Sequence, residues 1–196
     1  YQLENNTGAD GERDKGKHDS HDEDDRMADE DEPQQFEIQP LDLTHDREAF
    51  CCGNDYIDDW CKRKAHKDHE KYKSRVFVAT EKGQLQVVGI YCLTIRSLQP
   101  KRIPDIGFGR RDIPAIYFAT LGVSQTFAKR GLGTALMTDA FQRVLRVSEE
   151  VGTYCLWLEC VDEPTVHFYN SLGFQRIEKS KLDMYVPLET IRDAFS

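Results

Sequence analysis

The 196-residue chain contains no run of 18 apolar residues and no stretch with the basic, apolar and small-residue parts of a secretion signal, which argues against membrane insertion and export. Its six cysteines, at 51, 52, 61, 92, 155 and 160, include no Cys-x-x-Cys pair and match no zinc spacing. No metal is expected; they read as free thiols in a reducing compartment, several of them in the core. A cytoplasmic location is the expectation, with an upstream segment left open because the chain begins at Tyr1 rather than Met.

Apolar residues are nearly missing from the first stretch. Residues 1–35 hold 13 Asp/Glu against 4 Lys/Arg, and Leu3 is their one member of the Leu, Ile, Val and Phe set. A segment such as His21-Asp22-Glu23-Asp24-Asp25 cannot bury enough apolar surface to offset the entropy of ordering it, so residues 1–34 are predicted to form a disordered acidic tail. Such a tail is either simply solvated or competes with nucleic acid for a basic surface. Residues 35–196 suffice for one domain with a real core, and they carry 22 acids and 22 bases.

From Phe36 the pattern changes. Phe36–Leu41 alternates as a strand does, and Asn54 is placed to cap a helix running to about Tyr72, with Tyr56, Ile57, Trp60, Cys61 and Ala65 as its apolar stripe. Arg75–Thr80 and Leu85–Ile95 read as a hairpin around Lys82-Gly83. A long loop with two prolines and two glycines, Gln99–Ile113, precedes a nearly continuous apolar strand, Ala115–Val123. Leu132, Leu136, Ala140, Val144 and Val147 recur at helical spacing to about Glu149. Tyr154–Val161 is another apolar strand, Pro164 opens a short helix ending at Gly173, and Phe174–Ile177 and Leu182–Val186 read as a last strand pair. This order predicts an α/β domain with a mixed, mostly antiparallel central sheet flanked by helices.

The chemistry concentrates where a buried strand runs through Leu121-Gly122-Val123 into Ala128-Lys129-Arg130-Gly131-Leu132-Gly133-Thr134 and directly onto a helix. Several amides without helical partners then point at one spot, glycines permit close approach, and the helix's positive end favours an anion. Alone, this spacing fits an ordinary loop as well as a diphosphate site. The dinucleotide fingerprint needs a third glycine where Leu136 stands, and the Gly-Lys-Ser/Thr of a P-loop is absent.

The second half of the pattern is Val161-Asp162-Glu163-Pro164-Thr165-Val166-His167-Phe168-Tyr169-Asn170-Ser171-Leu172-Gly173-Phe174. Together the two segments resemble the motifs of the GNAT superfamily of N-acetyltransferases, over about residues 36–190 and in matching element order. The resemblance implies acetyl-CoA as co-substrate. Backbone groups of Leu121 and Val123, with Gly122 between them, would hold the acetyl and pantetheine parts, and amides of Lys129, Arg130, Gly131, Leu132, Gly133 and Thr134 the pyrophosphate. Tyr169 would protonate the leaving thiolate as general acid; without the resemblance it reads as a core aromatic. Ala128 stands where the family usually has Gln or Arg, and Asp162 where it has Asn.

A narrower resemblance lies upstream. Phe50-Cys51-Cys52-Gly53-Asn54-Asp55-Tyr56-Ile57-Asp58-Asp59-Trp60, with Lys62, Ala65, Arg75–Val78, Gly89-Ile90-Tyr91 and Ile113-Pro114, is similar to the tRNA-acetylating toxins of bacterial toxin–antitoxin modules. This implies an aminoacyl-tRNA acceptor, a small antitoxin as partner, and a homodimer. Charge placement fits either tRNA phosphates or a solvated surface: Lys62, Arg63, Lys64, Lys67, Lys71, Lys73 and Arg75 lie within the basic helix region 62–75, and Lys101, Arg102, Arg110 and Arg111 in the loop 101–111. Two other readings remain at this level: a GNAT enzyme acting on a small amine, protein N-terminus or lysine, and a CoA-binding regulator without catalysis.

Overall fold

A computed structural model describes residues 36–103, 106–178 and 180–196. The predicted acidic tail lies outside the described residues. Seven strands form one sheet in the order β1-β2-β3-β4-β5-β7-β6. They are β1 (Phe36–Pro40), β2 (Arg75–Glu81), β3 (Val87–Leu98), β4 (Ile113–Val123), β5 (Cys155–Glu159), β6 (Gln175–Arg176) and β7 (Asp183–Pro187). All neighbours are antiparallel except β4 and β5, which pair in parallel. That one parallel junction follows from the helical crossover joining them, α3 (Leu132–Glu150). The other helices are α1 (Asp55–Arg63), α2 (Ala65–Glu70), α4 (Glu163–Ser171) and α5 (Leu188–Asp193).

Strand alternation sorts the helices onto the two faces. Phe77 and Ala79 of β2, Tyr91 and Leu93 of β3, and Ile116 and Phe118 of β4 join one core with Leu136, Ala140 and Val144 of α3, Val166 and Tyr169 of α4, and Ile191 of α5. On the opposite face Val76, Val78, Ile90 and Cys92 pack against Trp60, Cys61 and Ala65. Further along that same face, Leu98, Ala115 and Trp157 pack against Ile103, Ile106 and Phe108 of the long loop. Both basic segments therefore belong to one face of the sheet.

The helix predicted from Asn54 to Tyr72 is two helices. Asn54 does cap the first, its side chain accepting from the Tyr56 and Ile57 amides, but Lys64 at φ −122° breaks the ladder between α1 and α2. The indole of Trp60 donates to Asp68 Oδ2 at 3.0 Å across that break. Tyr56 is exposed rather than part of the apolar stripe, as is Val147 at the end of the α3 stripe. The second hairpin strand starts two residues later than predicted and runs to Leu98, leaving Leu85 exposed. α5 had no sequence expectation: Leu188 and Ile191 give it only two buried positions, too few to display a period.

Candidate active site

The β4–β5 pairing stops almost as soon as it starts. Ala115, Ile116 and Tyr117 pair with Cys155, Leu156 and Trp157, whereas β4 continues to Val123 without a β5 partner. One cause is visible in the β3–β4 register, where Cys92 pairs with Thr120 and Leu93 with Phe118, so Ala119 is an extra residue on β4. Such a bulge bends and twists its strand, which turns the end of β4 away from β5. The backbone edge of residues 118–123 facing β5 is left outside the sheet's hydrogen bonding.

A cavity of about 270 Å³ fills the opening. Leu121, Gly122 and Val123 line one wall, Leu158 and Glu159 another, and Phe168 and Tyr169 of α4 a third. The Phe50–Asn54 segment closes the remaining side, tied down by the Gln125 amide donating to the Cys51 carbonyl at 2.9 Å and the Cys52 amide donating to Asp58 Oδ1 at 2.8 Å. Burial pushes the Asp58 carboxyl up, but hydrogen bonds from Cys52 and Gly53 outweigh it and hold the group below the usual carboxylate range. Asp58 is thus an anionic anchor for the loop, which explains its burial at the start of an otherwise exposed turn. Cys52 and Asn54, both facing the cavity, were singled out in the sequence only through the toxin resemblance and the helix cap.

At the end of β4 the chain makes the turn that the glycines foreshadow. Lys129 and Gly131 have φ of +62° and +78°, and Gly131 caps α3 with no side chain bonded to its first-turn amides. Those amides point out of the helix start with a positive partial charge and no internal partner. A Cβ on Gly131 would meet no protein atom within 4 Å, so the space there is free for a ligand. Gly133 sits near Phe168 and Val123, at 3.8 and 3.9 Å from its would-be Cβ, which puts the turn at the end of the same cavity. Leu132 is buried and offers only its amide, while Lys129, Arg130 and Thr134 are exposed. Arg130 lies 5.5 Å from the centre of the Phe127 ring.

Gly122 lines the cavity and is also tightly packed: a Cβ there would come within 3.0 Å of Ile57 and 3.1 Å of Phe50. Its absence of a side chain lets α1 and the Phe50 loop sit directly over β4.

Tyr169 is 5% exposed and packs edge-on against Phe118, Phe168 and Phe174. Burial, reinforced by Cys160, drives its hydroxyl well above the usual phenol range. It therefore holds its proton at neutral pH, in contact with a cavity that Leu121 and Val123 share. Of the two departures from the GNAT pattern, Asp162 performs a local task, accepting from the Thr165 amide at 2.8 Å as the cap of α4. Ala128 is exposed and brings no polar group to the turn.

A splayed parallel strand pair and a buried phenol share one cavity with an uncapped helix start beside it, and the match to the acetyltransferase (GNAT) domain covers residues 72–176, the segment that builds them. The chain belongs to the GNAT acetyltransferases. As such it is an acetyl-CoA-dependent enzyme. It is 34% identical over 167 residues to a probable toxin TacT of Sinorhizobium fredii, covering 79% of this chain and 92% of that one. It is 28% identical over 131 residues to a tRNA-acetylating toxin of Mycobacterium tuberculosis, covering 65% and 76%. Two solved structures share the fold: a tyrosine-to-phenylalanine mutant of KacT, with TM-score 0.78 at 20% identity, and AtaT complexed with acetyl-methionyl-tRNAfMet, with TM-score 0.76 at 22% identity. Each covers 83% of this chain and the whole of the other.

Proposed function

We propose that this GNAT enzyme acetylates the amino group of an aminoacyl-tRNA and so acts as a translation-blocking toxin of the cytoplasm. The observation that carries this reading is the likeness to relatives described as a toxin TacT and a tRNA-acetylating toxin, over most of the domain. The geometry agrees with it: the cavity lies on a sheet whose one face gathers α1, α2 and the long loop, with Lys62, Arg63, Lys64, Lys101, Arg110 and Arg111 on their surfaces. Such cations attract a polyphosphate acceptor without reading its sequence.

In this reading the Lys129–Thr134 turn holds the pyrophosphate, the free edge of Leu121–Val123 aligns the thioester carbonyl, and the acceptor amine enters beside Glu159. The amine nitrogen bonds to the acetyl carbon, the carbon–sulfur bond breaks, and the sulfur takes the proton of the Tyr169 hydroxyl. The amine's own proton leaves to water, and water returns a proton to the Tyr169 phenolate. An α-amine needs little help in this, since its ordinary pKa of about 7.7–8.0 leaves a useful neutral fraction near pH 7, unlike a lysine at about 10.4. The likeness to AtaT, which has been solved bound to the C-terminus of its antitoxin AtaR, makes a small antitoxin the protein partner.

Incubation with labelled acetyl-CoA and charged tRNA at low salt should yield N-acetyl-aminoacyl-tRNA. Its absence, with acetyl-CoA binding intact, would refute the acceptor assignment and leave a small amine or protein acceptor to be sought.

A further inference from the structure

Across β4, β5 and β7, on the face that carries the basic loop, Tyr117, Trp157 and Tyr185 occupy one register line. Tyr117 and Trp157 lie 4.4 Å apart between ring centres. Arg102 lies over the Trp157 ring and is neutralised by an ion pair with Asp183. Arg96 differs. It comes from the neighbouring strand β3, its guanidinium sits 4.2 Å from the centre of the Tyr117 ring, and it forms no ion pair among the described residues. The side chain is exposed. A planar cation thus sits over an aromatic ring on an exposed part of the sheet.

The aromatic pair stands beside the transfer site. Trp157 and Glu159 share a face of β5 two residues apart, about 7 Å at strand spacing, and Glu159 lines the cavity. Glu159 and Asp183 also lie near enough to Tyr117 to act on its hydroxyl. Exposed Lys101, Arg110 and Arg111 belong to the loop that packs on the same face. From Glu159 at the cavity, the same face of the sheet leads through Trp157 to Tyr117 and the Arg96 above it.

Resting on the aminoacyl-tRNA reading, the geometry points to Arg96, backed by Tyr117, as the platform on which the terminal base of the acceptor's single-stranded 3′ end stacks. Guanidinium and aromatic planes receive unpaired bases in this way, and lysine, a compact cation, does not. Base stacking of the usual strength corresponds to a change on the order of 10-fold in affinity.

Arg96→Lys keeps the charge and removes the plane. With full-length protein, KM for charged tRNA should rise on the order of 10-fold while kcat and the acetylation of an amino-acid methyl ester, which has no base, stay unchanged. An unchanged KM in Arg96→Lys overturns the proposal, as does a defect confined to Arg96→Ala, which would mean that only charge matters. If the wild type fails to acetylate charged tRNA, the acceptor reading falls and the platform is judged by binding of the RNA trinucleotide CCA alone. Weaker binding by Arg96→Lys than by wild type sustains it; equal binding, or none by either, overturns it.

Discussion

At the scale of single residues, the Tyr169 hydroxyl is the group whose removal is most informative. It makes no hydrogen bond among the described residues, so Tyr169→Phe should leave the unfolding midpoint in place. Turnover should fall by about 10²–10⁴-fold, the usual contribution of a positioned acid. The pH profile carries a matching sign. Burial raises the pKa of Tyr169; in the proposed general-acid role the protonated phenol is the active form, so its contribution is present below that raised pKa and lost only above it. The rate should therefore rise with deprotonation of the acceptor amine and show no descending limb from Tyr169 in the ordinary phenol range; a fall near pH 10 would remove the assignment. The glycines offer a second contrast. Gly131→Ala forces a side chain into a left-handed turn whose surroundings are open, so acetyl-CoA affinity should weaken more than stability. Gly122→Ala should instead destabilise the fold by about 1–3 kcal/mol, read as a lower urea midpoint, because Ile57 and Phe50 must shift. Calorimetric titration and denaturation of both variants would separate the roles. The turn at Gly131 and the helical placement of Tyr169 were legible in the sequence because both are local. The packing duty of Gly122 was not, since Phe50 and Ile57 meet it only after folding.

At the scale of elements, α3 is fastened to β3 by more than its apolar stripe. The Tyr91 hydroxyl donates to Asp139 Oδ2 at 2.5 Å, Arg143 Nε donates to the same oxygen at 2.8 Å, and the Arg143 guanidinium lies 3.9 Å from the centre of the Phe77 ring. Removing the shared acceptor strands both donors. Asp139→Ala should cost about 2–3 kcal/mol, read as a lower urea midpoint at unchanged slope; no change would mean that water replaces the carboxylate without penalty. The stripe of α3 was plain in the sequence because Leu132, Leu136, Ala140 and Val144 recur over a long helix. The polar fastening was not, for Tyr91 and Asp139 are 48 residues apart. The break at Lys64 and the bulge at Ala119 were hidden for a related reason: each depends on a partner, Asp68 for Trp60 and β3 for β4, and neither alters the local composition.

At the scale of the whole molecule, charge arrangement decides which cations remain for a nucleic acid. The basic run around α1 and α2 is partly neutralised from within, Arg63 and Lys64 by Asp59 and Lys73 by Asp68. Arg110 and Arg111 form no ion pair among the described residues and are exposed. Binding of tRNA should fall steeply with salt, and replacing both arginines by alanine should lower the log–log slope by about 2 in magnitude. An unaltered slope would place the phosphates elsewhere. The sequence displayed these charges but not their pairing, which joins Arg63, Lys64 and Lys73 of the helix region and Arg102 of the loop to carboxylates.

The three-residue junction between β4 and β5 has a mechanical meaning as well. Among the described residues it is the one strand pairing that joins the two halves of the sheet, and beyond it the seam lies open along Phe118–Val123. A molecule threaded through that opening and bonded to its free edge would serve as the missing stitch. Substrate occupancy and mechanical integrity of the sheet would then be one property, and an enzyme waiting for its acyl donor would be a sheet waiting to be finished.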